Sequence, residues 1–425
     1  MVKNVMKNIL IALIFFAYCG SFSQETVVSE LQITGLKRTK ESFIRKLVKV
    51  KPGSTYDSLR VATDIERLKR LPGVANAEVV VKQNQDSGYQ ITYAIEENFT
   101  IIPGLSIATD NNGEFAYRVS LFEFNLFGRN QIFGGFYQRD VFDSYGGYWE
   151  APYLFTNKFG IGINYKNLVS QEPIFLENNN TINYKFDTRA FELNFLYEFD
   201  FHNRAEVGVN ISKEEYDFIE GNLPAEIPTR LSANKIAYRG EYEYNDIDID
   251  YQYVSGFRSL LDFRFVTGGE GLLDDFFIGR NDFEYFRRIG KRGNWANRLR
   301  LAYASNDDTP FAPFAVDNQL NIRGAGNTID RGTAAIVLNT EYRHTLYEKG
   351  WFVVQSNVFV DTGTWRNPGG ELVELVDGST LRFYPGAGIR LIHKRIFNAV
   401  FRLDYGYGIG NDATNGITFG IGQYF

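Results

Sequence analysis

The 425-residue chain has one cysteine and three histidines, and nowhere does it carry the ~20 consecutive apolar residues that a membrane-spanning helix needs. Each scarcity excludes something. Cys19 alone allows no intramolecular disulfide. His202, His344 and His393 stand far apart, with no His/Cys ligand spacing and no Gly-x-Ser-x-Gly elbow. The Gly-rich stretches lack the strand-to-helix context of a phosphate site, so neither an enzyme nor a cofactor or metal is expected. Net charge is −6, and −8 once Lys3 and Lys7 leave with an N-terminal leader, which argues against a nucleic-acid partner.

What the chain has in quantity is aromatic residues. They make up 16% of it, and 59 of the 67 Phe, Tyr and Trp follow residue 97 although mean hydropathy is only −0.25. Aromatic, Gly-containing alternation without a long apolar run is what a transmembrane β-barrel requires, since lipid-facing and lumen-facing side chains alternate and aromatics girdle the interfaces. A soluble β-sandwich is the competing reading, but it would rarely spend so many large aromatics on so polar a chain.

Residues 1–24 read as a secretory signal: Lys3 and Lys7, the apolar core Ile9 to Cys19, and a small-x-small site at Ser21-Phe22-Ser23. A lipid anchor on Cys19 is the weaker alternative, because Tyr18 is bulky where a small residue normally precedes a lipidated cysteine. Residues 25–97 read as a compact β-α-α-β-β unit. It comprises a strand from Val27 to Thr34, a helix from Lys40 to about Lys49 capped by Thr39, and a second helix started by Asp57 and broken at Pro72-Gly73. Strands from Val74 to Lys82 and Tyr89 to Glu96 complete it.

Residues 98–425, at about 20 residues per strand and connection, leave room for roughly 16 antiparallel strands. In one hairpin Phe191, Leu193, Phe195, Tyr197, Val207, Val209 and Ile211 share a face opposite Glu192, Asn194, Glu206 and Asn210. A wet lumen solvates those carboxylates, whereas a dry sandwich core would not. The same logic assigns Asp246, Asp248 and Asp250 to the lumen, with a calcium site as the alternative. Long polar connections are expected near 169–187, 213–234, 304–333 and 366–380, alternating with short turns such as His202-Asn203-Arg204.

Within the third of these connections, Asp317 to Gly332, a single triplet, Ile322-Arg323-Gly324, places a cation in a Gly-containing loop. If that loop folds inward, the charge needs a partner. The two-residue period puts Asp361, with Gln355 and Asn357, and Glu341, with Asn339 and Arg343, on inward faces. Arg323 is therefore expected to pair in the lumen with Asp361 or Glu341.

Ile33-Thr34-Gly35, and the stretch from Leu68 to Val74 before the second strand of the N-terminal unit, with Pro72 and Gly73 at the break, resemble the motifs of a POTRA domain. Such domains are expected to take up extended chains along an exposed sheet edge; a packed spacer without a ligand is the alternative. The remainder resembles the barrel of the BamA/TamA superfamily of outer-membrane assembly factors and two-partner-secretion translocators. The matching stretches are Asn125-Leu126-Phe127-Gly128 with Pro152-Tyr153-Leu154, Gly256-Phe257-Arg258, Ile322-Arg323-Gly324, Val360-Asp361-Thr362-Gly363, Gly386 to Arg390 with Phe401 to Tyr405, and Phe419 to Phe425. Ala325 replaces the aromatic that usually follows Arg-Gly, and Gln423 stands where an outward apolar residue is usual.

The resemblance implies insertion or translocation of unfolded outer-membrane or secreted polypeptides. It also implies an outer-membrane barrel with a periplasmic N-terminal domain, contact with outer-membrane lipids, and accessory periplasmic or lipoprotein subunits. Barrel closure would pair a first strand near Gly104 to Thr109 with a last one near Ile417 to Phe425, a seam weakened by Gly420 and Gly422. A passive channel, an adhesive surface barrel and a transporter for one secreted partner are the alternatives.

Overall fold

The computed structural model describes residues 27–83, 88–109, 115–139, 141–175, 181–225, 227–268, 275–307, 313–315, 321–325, 331–410 and 413–425. The expected signal segment, 1–24, lies outside them.

The N-terminal unit comprises β1 (Val27–Thr34), α1 (Glu41–Leu47), α2 (Ser58–Lys69), β2 (Val74–Gln83) and β3 (Gly88–Glu97). Its sheet order is β1-β3-β2, with β1 parallel and β2 antiparallel to the central β3, so one side of β2 is an unpaired edge. Val28, Leu31, Phe43, Ile44, Leu47, Val61, Leu68 and Ile91 close one core between sheet and helices. Asp64 is fully buried within it. Its carboxylate accepts the Lys49 and Val50 amides at 2.7 and 2.9 Å and the Tyr93 hydroxyl at 3.1 Å, which fixes the turn after α1 to α2. Asp57 caps α2 through the Leu59 amide. Thr39, expected to cap α1, does not: Lys40 holds the cap position without a side-chain bond. The Thr39 amide instead donates to Glu97, and its hydroxyl accepts from Asn125 of the barrel.

Sixteen antiparallel strands follow as one nearly closed barrel sheet. Its first half is β4 (Ile101–Thr109), β5 (Phe115–Leu126), β6 (Gln131–Arg139), β7 (Asp143–Ala151), β8 (Phe159–Phe175), β9 (Thr181–Glu198), β10 (Asn203–Glu220) and β11 (Arg230–Asp250). After β12 (Tyr253–Thr267), β13 (Phe276–Ile289) and β14 (Gly293–Ala304), a short separate hairpin of β15 (Phe314–Ala315) and β16 (Arg331–Gly332) interrupts the order. The wall resumes with β17 (Ala334–Lys349), which pairs directly with β14, then β18 (Phe352–Arg366), β19 (Arg382–His393), β20 (Val400–Tyr407) and β21 (Asn415–Ile421).

Alternation decides the two faces. Phe191, Phe195, Tyr197, Val207 and Ile211 are exposed on the outside, while Glu192, Asn194, Glu206 and Asn210 are buried inside. Several expected loops are strand instead: β8 runs to Phe175, β10 to Glu220, and β11 begins at Arg230. Polar residues extend these ladders without breaking them, because backbone pairing is indifferent to the side chains it carries. The turn expected at His202-Asn203-Arg204 sits earlier, between Glu198 and Asn203.

The aspartates of β11 are a correction. Ile247 is the buried, inward residue, packed with Phe286, Ala296 and Phe425, so Asp246, Asp248 and Asp250 lie on the opposite face. They are half exposed there and meet His202, Lys69 and Arg288. Parity along the strand is set by Arg239 and Glu241 inside and by Tyr238 and Tyr242 outside, and the aspartates share the tyrosines' parity. No cluster of metal-ligating side chains occurs among the described residues.

The N-terminal unit seats on one rim of the barrel. Arg67 pairs with Glu198, and Arg70 donates to the Phe201 carbonyl at 3.1 Å with its guanidinium 3.9 Å above the Phe201 ring. The Lys40 amide reaches the Gly128 carbonyl at 2.9 Å. Gly128 has φ +67°, and a Cβ there would meet the Arg38 carbonyl oxygen at 2.2 Å.

Glu97 ties the end of β3 to the turn after β1 by accepting the amides of Lys37, Arg38 and Thr39. Burial pushes its carboxyl upward, but the backbone bonds, led by Thr39 and Arg38, outweigh this and hold it below the ordinary value of 4.5. A depressed folded pKa contributes stability above the unfolded value that is lost as pH falls through the folded one. Urea midpoints should therefore separate wild type from Glu97→Gln at pH 7 and converge below about pH 4.5. Asp64→Ala, which strips three bonds from a buried carboxylate, should cost about 3 kcal/mol in the same titration.

Candidate functional site

The short segment 321–325 lies inside the barrel against the wall formed by β17, β18 and β20. Residues 316–320 and 326–330, the rest of the expected lumenal loop, are outside the described residues. Ile322 is fully buried in an apolar patch with Ala302, Ala335, Val337, Trp365 and Tyr384, and its Cδ1 lies where a Cβ on Gly363 would come within 2.9 Å. Ala325 belongs to the same patch. Gly324 has φ +91°, and a Cβ there would sit 2.5 Å from the Gly406 carbonyl oxygen. Conversely, a Cβ on Gly406 would sit 2.1 Å from the Arg323 carbonyl oxygen. Two glycines thus allow the turn and the β20 backbone to touch. Asn339 donates to the Asn321 carbonyl at 2.7 Å, and Arg300 to the Asn321 side chain at 2.8 Å.

Arg323 has no exposed surface. It engages both carboxylates of the expected pair. Its Nε and Nη2 donate to Asp361 at 2.8 and 2.9 Å, its backbone amide to the same carboxylate at 3.0 Å, and its Nη1 to Glu341 at 2.6 Å. Asp404 lies 3.7 Å from Nη1. The guanidinium plane is covered on Phe359, 3.6 Å from the ring centroid, and on Tyr424 at 4.4 Å. Glu341 is shared, since it also accepts from Arg390 at 3.0 Å and from Arg343. Buried charge is therefore held as a network, with five guanidinium donors divided among acceptors that are themselves tied to neighbouring strands.

Phe359, Asp404, Arg390 and Tyr424 were not anticipated. Phe359, Asp404 and Arg390 had a legible signal, because each lies at inward parity on its strand. Tyr424 had none. β21 ends at Ile421, Gly422 takes φ +93°, and residues 423–425 turn into the lumen, where Tyr424 is buried and Arg343 donates to the Phe425 carbonyl at 3.1 Å. This also accounts for Gln423: beyond the Gly422 turn, the rule that alternate residues face lipid no longer applies. Gly420 lies where a Cβ would meet the Arg402 guanidinium at 2.4 Å, so a glycine is needed for that arginine to lie across the strand.

The expected pairing of first and last strands is absent among the described residues. β4 and β21 are the two edges of the sheet and share no ladder bonds there. What bridges the gap on the side of the N-terminal unit is the turn between β19 and β20. The Phe99 amide donates to the Arg395 carbonyl at 2.9 Å, the Phe397 amide to the Phe99 carbonyl at 3.0 Å, and Phe397 packs on Phe124. The inward turn at Gly422 takes the following residues out of the line along which β21 would continue beside β4.

Residues 26–98 match the family profile described as POTRA, surface antigen variable number repeat. No curated protein sequence matches the chain. Among solved structures the fold is similar to BamA from Haemophilus ducreyi lacking POTRA domains 1–3, at 15% identity and TM-score 0.55 over 93% of this chain and 84% of that one. It is also similar to CdiB from Escherichia coli, at 10% identity and TM-score 0.62 over 93% and 75%, and to CdiB from Acinetobacter baumannii, at 13% identity and TM-score 0.60 over 94% and 74%. The architecture is that of a POTRA domain followed by a 16-stranded barrel of the BamA and CdiB type.

Arg323→Ala leaves Asp361 and Glu341 buried without their shared cation, a change that costs about 3–5 kcal/mol where a buried pair is broken from one side. Limited proteolysis within 313–332 should become at least tenfold faster than in wild type. Arg323→Lys should give an intermediate rate, because one ammonium does not reproduce the bidentate contact with Asp361.

Proposed function

We propose that the chain is an outer-membrane assembly or translocation factor that passes unfolded polypeptides into or across the bilayer without covalent chemistry. The observation that carries this reading is the unpaired seam: β4 and β21 are the two end strands of the 16-stranded sheet and share no ladder bonds among the described residues. An open edge is a template for another strand, and barrels otherwise have none. Ile417 and Phe419 of β21, and Leu105 of β4, present exposed apolar side chains beside it.

In this reading residues 1–24 direct export, residues 25–97 lie in the periplasm and residues 98–425 in the outer membrane. The free edge of β2, with Val79, Val80 and Val81 exposed, is the capture surface for extended clients. Ile322, Arg323 and Gly324 hold the lumenal turn, and Asp361 and Glu341 anchor it to the wall. Gly420, Gly422 and Phe425 shape the last strand so that the seam stays unzipped. Accessory periplasmic or lipoprotein subunits would present clients to the domain edge.

The anchored turn also weighs against a passive channel, since a fully buried, multiply bonded segment occupies the lumen rather than leaving it clear. An adhesive surface barrel has no need of a gap between its end strands.

In liposomes, the purified protein should accelerate folding of an unrelated unfolded barrel protein, read by its heat-modifiable mobility. A disulfide joining β4 to β21 should remove the acceleration and reduction should restore it, while Arg323→Ala should reduce it about tenfold or more. No acceleration, together with steady ion conductance that survives the locked seam, would overturn the proposal in favour of a channel. Loss of a single exported protein on deletion, with other barrels intact, would narrow it to a dedicated transporter.

A further inference from the structure

We infer that the lumen holds a binding site for a small anionic amphiphile, away from both the Arg323 network and the seam. A cavity of about 580 Å³ lies between the inner faces of β8 to β13 and the residues flanking the β15–β16 hairpin. That volume falls within the range of small-molecule sites, which are mostly apolar with a few placed polar groups.

The inner wall changes character here. Elsewhere inward positions carry Glu, Asn and Arg, but on this patch the same parity carries Phe186, Tyr216, Leu231, Val266 and Phe276. Ile182 and Tyr184 extend the apolar surface beside it. A wall of this kind gains nothing from a hydrated ion or a sugar; it favours a hydrocarbon or aromatic body.

Charge gives the other half of the ligand. Four cations line the cavity, Lys166, Lys235, Arg264 and Arg331, against two carboxylates, Glu172 and Glu214. Both carboxylates are already engaged: Lys235 meets Glu214 at 2.5 Å and Arg331 meets Glu172 at 2.6 Å. The Lys166 side chain makes no hydrogen bond or ion pair among the described residues; the charges that act on it include the like-charged Arg264 and the Glu192 carboxylate, which already accepts from Asn194 and Asn210. Arg264 approaches only Asp262, at 3.6 Å, and that carboxylate is held more closely by Arg239 at 2.9 Å. Two cations thus face an apolar chamber without a dedicated counter-charge, which suits a carboxylate or phosphate head on an apolar body. Arg331 follows the lumenal turn in sequence and reaches across to β8, so an occupant would touch both the wall and the hairpin.

The inference does not rest on the proposed function, and its test is a binding measurement. The full-length protein, held in amphipol, is equilibrated by dialysis with labelled decanoate, with decyl phosphate, decanol and decyltrimethylammonium as comparators and empty amphipol as blank. Decanoate should bind saturably at one molecule per barrel, decyl phosphate should compete with it, and the cationic analogue should bind at least tenfold more weakly. Lys166→Gln with Arg264→Gln should weaken decanoate about tenfold and leave decanol unchanged. Ala233→Trp, which fills the apolar wall, should abolish binding of both, and heat-modifiable mobility of each variant establishes that it is folded. If folded wild type binds without saturation, binds anion and cation alike, or keeps its decanoate affinity in either variant, the site does not exist. Organic extracts of the protein analysed by mass spectrometry separate the sources: a free fatty acid carries the carboxylate head, a membrane lipid the phosphate.

Discussion

The lumen of this barrel is organised around the buried guanidinium of Arg323, which shares Glu341 with the equally buried Arg343 and Arg390. Arg323 enters on a short turn with its side chain fully buried, and an isolated guanidinium in that position would be prohibitive. It is tolerated because Asp361 takes it bidentately and Glu341 takes the remaining edge, with Phe359 and Tyr424 covering the two faces. The partners come from β17 (Glu341), β18 (Phe359 and Asp361) and the end of the chain (Tyr424), so neutralising the charge also fixes the relative positions of β17, β18, the lumenal turn and the end of the chain. Such a network adds less to net stability than its bonds suggest, since desolvation offsets much of the gain. Its consequence is positional: the turn has one place to be.

That constraint links the turn to the seam. Tyr424 reaches Arg323 only because Gly422 adopts a left-handed backbone and takes the last residues out of the sheet. The same turn removes those residues from the position where they would extend β21 along β4. The turn thus covers the buried cation and ends β21 at Ile421, while Asn415–Ile421 itself shares no ladder bonds with β4 among the described residues. At the N-terminal end, Phe99 and the turn between β19 and β20 bridge the gap instead, so the opening is bounded on the side of the POTRA domain.

Most of the architecture was legible because its causes are local. Alternation of Phe191 through Ile211 with Glu192 through Asn210 states both a strand and its two solvents, and spacing gives the strand number. The N-terminal unit was legible for the same reason, through the helix start at Asp57 and the break at Pro72-Gly73. Asp246, Asp248 and Asp250 mark the limit. Alternation shows that they share a face but not which face, and the assumption that carboxylates point inward fails near a rim, where both faces meet water. Thr39 shows another: a residue suited to capping is taken by a barrel partner, Asn125, that sits 86 positions away.

By itself, the sequence determined a β-α-α-β-β unit followed by a barrel of roughly 16 strands, and it narrowed the partners of Arg323 to two carboxylates at inward parity. These follow from periodicity, which each segment carries alone. Only the tertiary structure decided that Arg323 takes both carboxylates at once, that Tyr424 completes its cover, and that β4 and β21 share no ladder bonds among the described residues. Those outcomes depend on which segments meet across the lumen, and residues on separate segments leave no mark of their meeting on any local pattern.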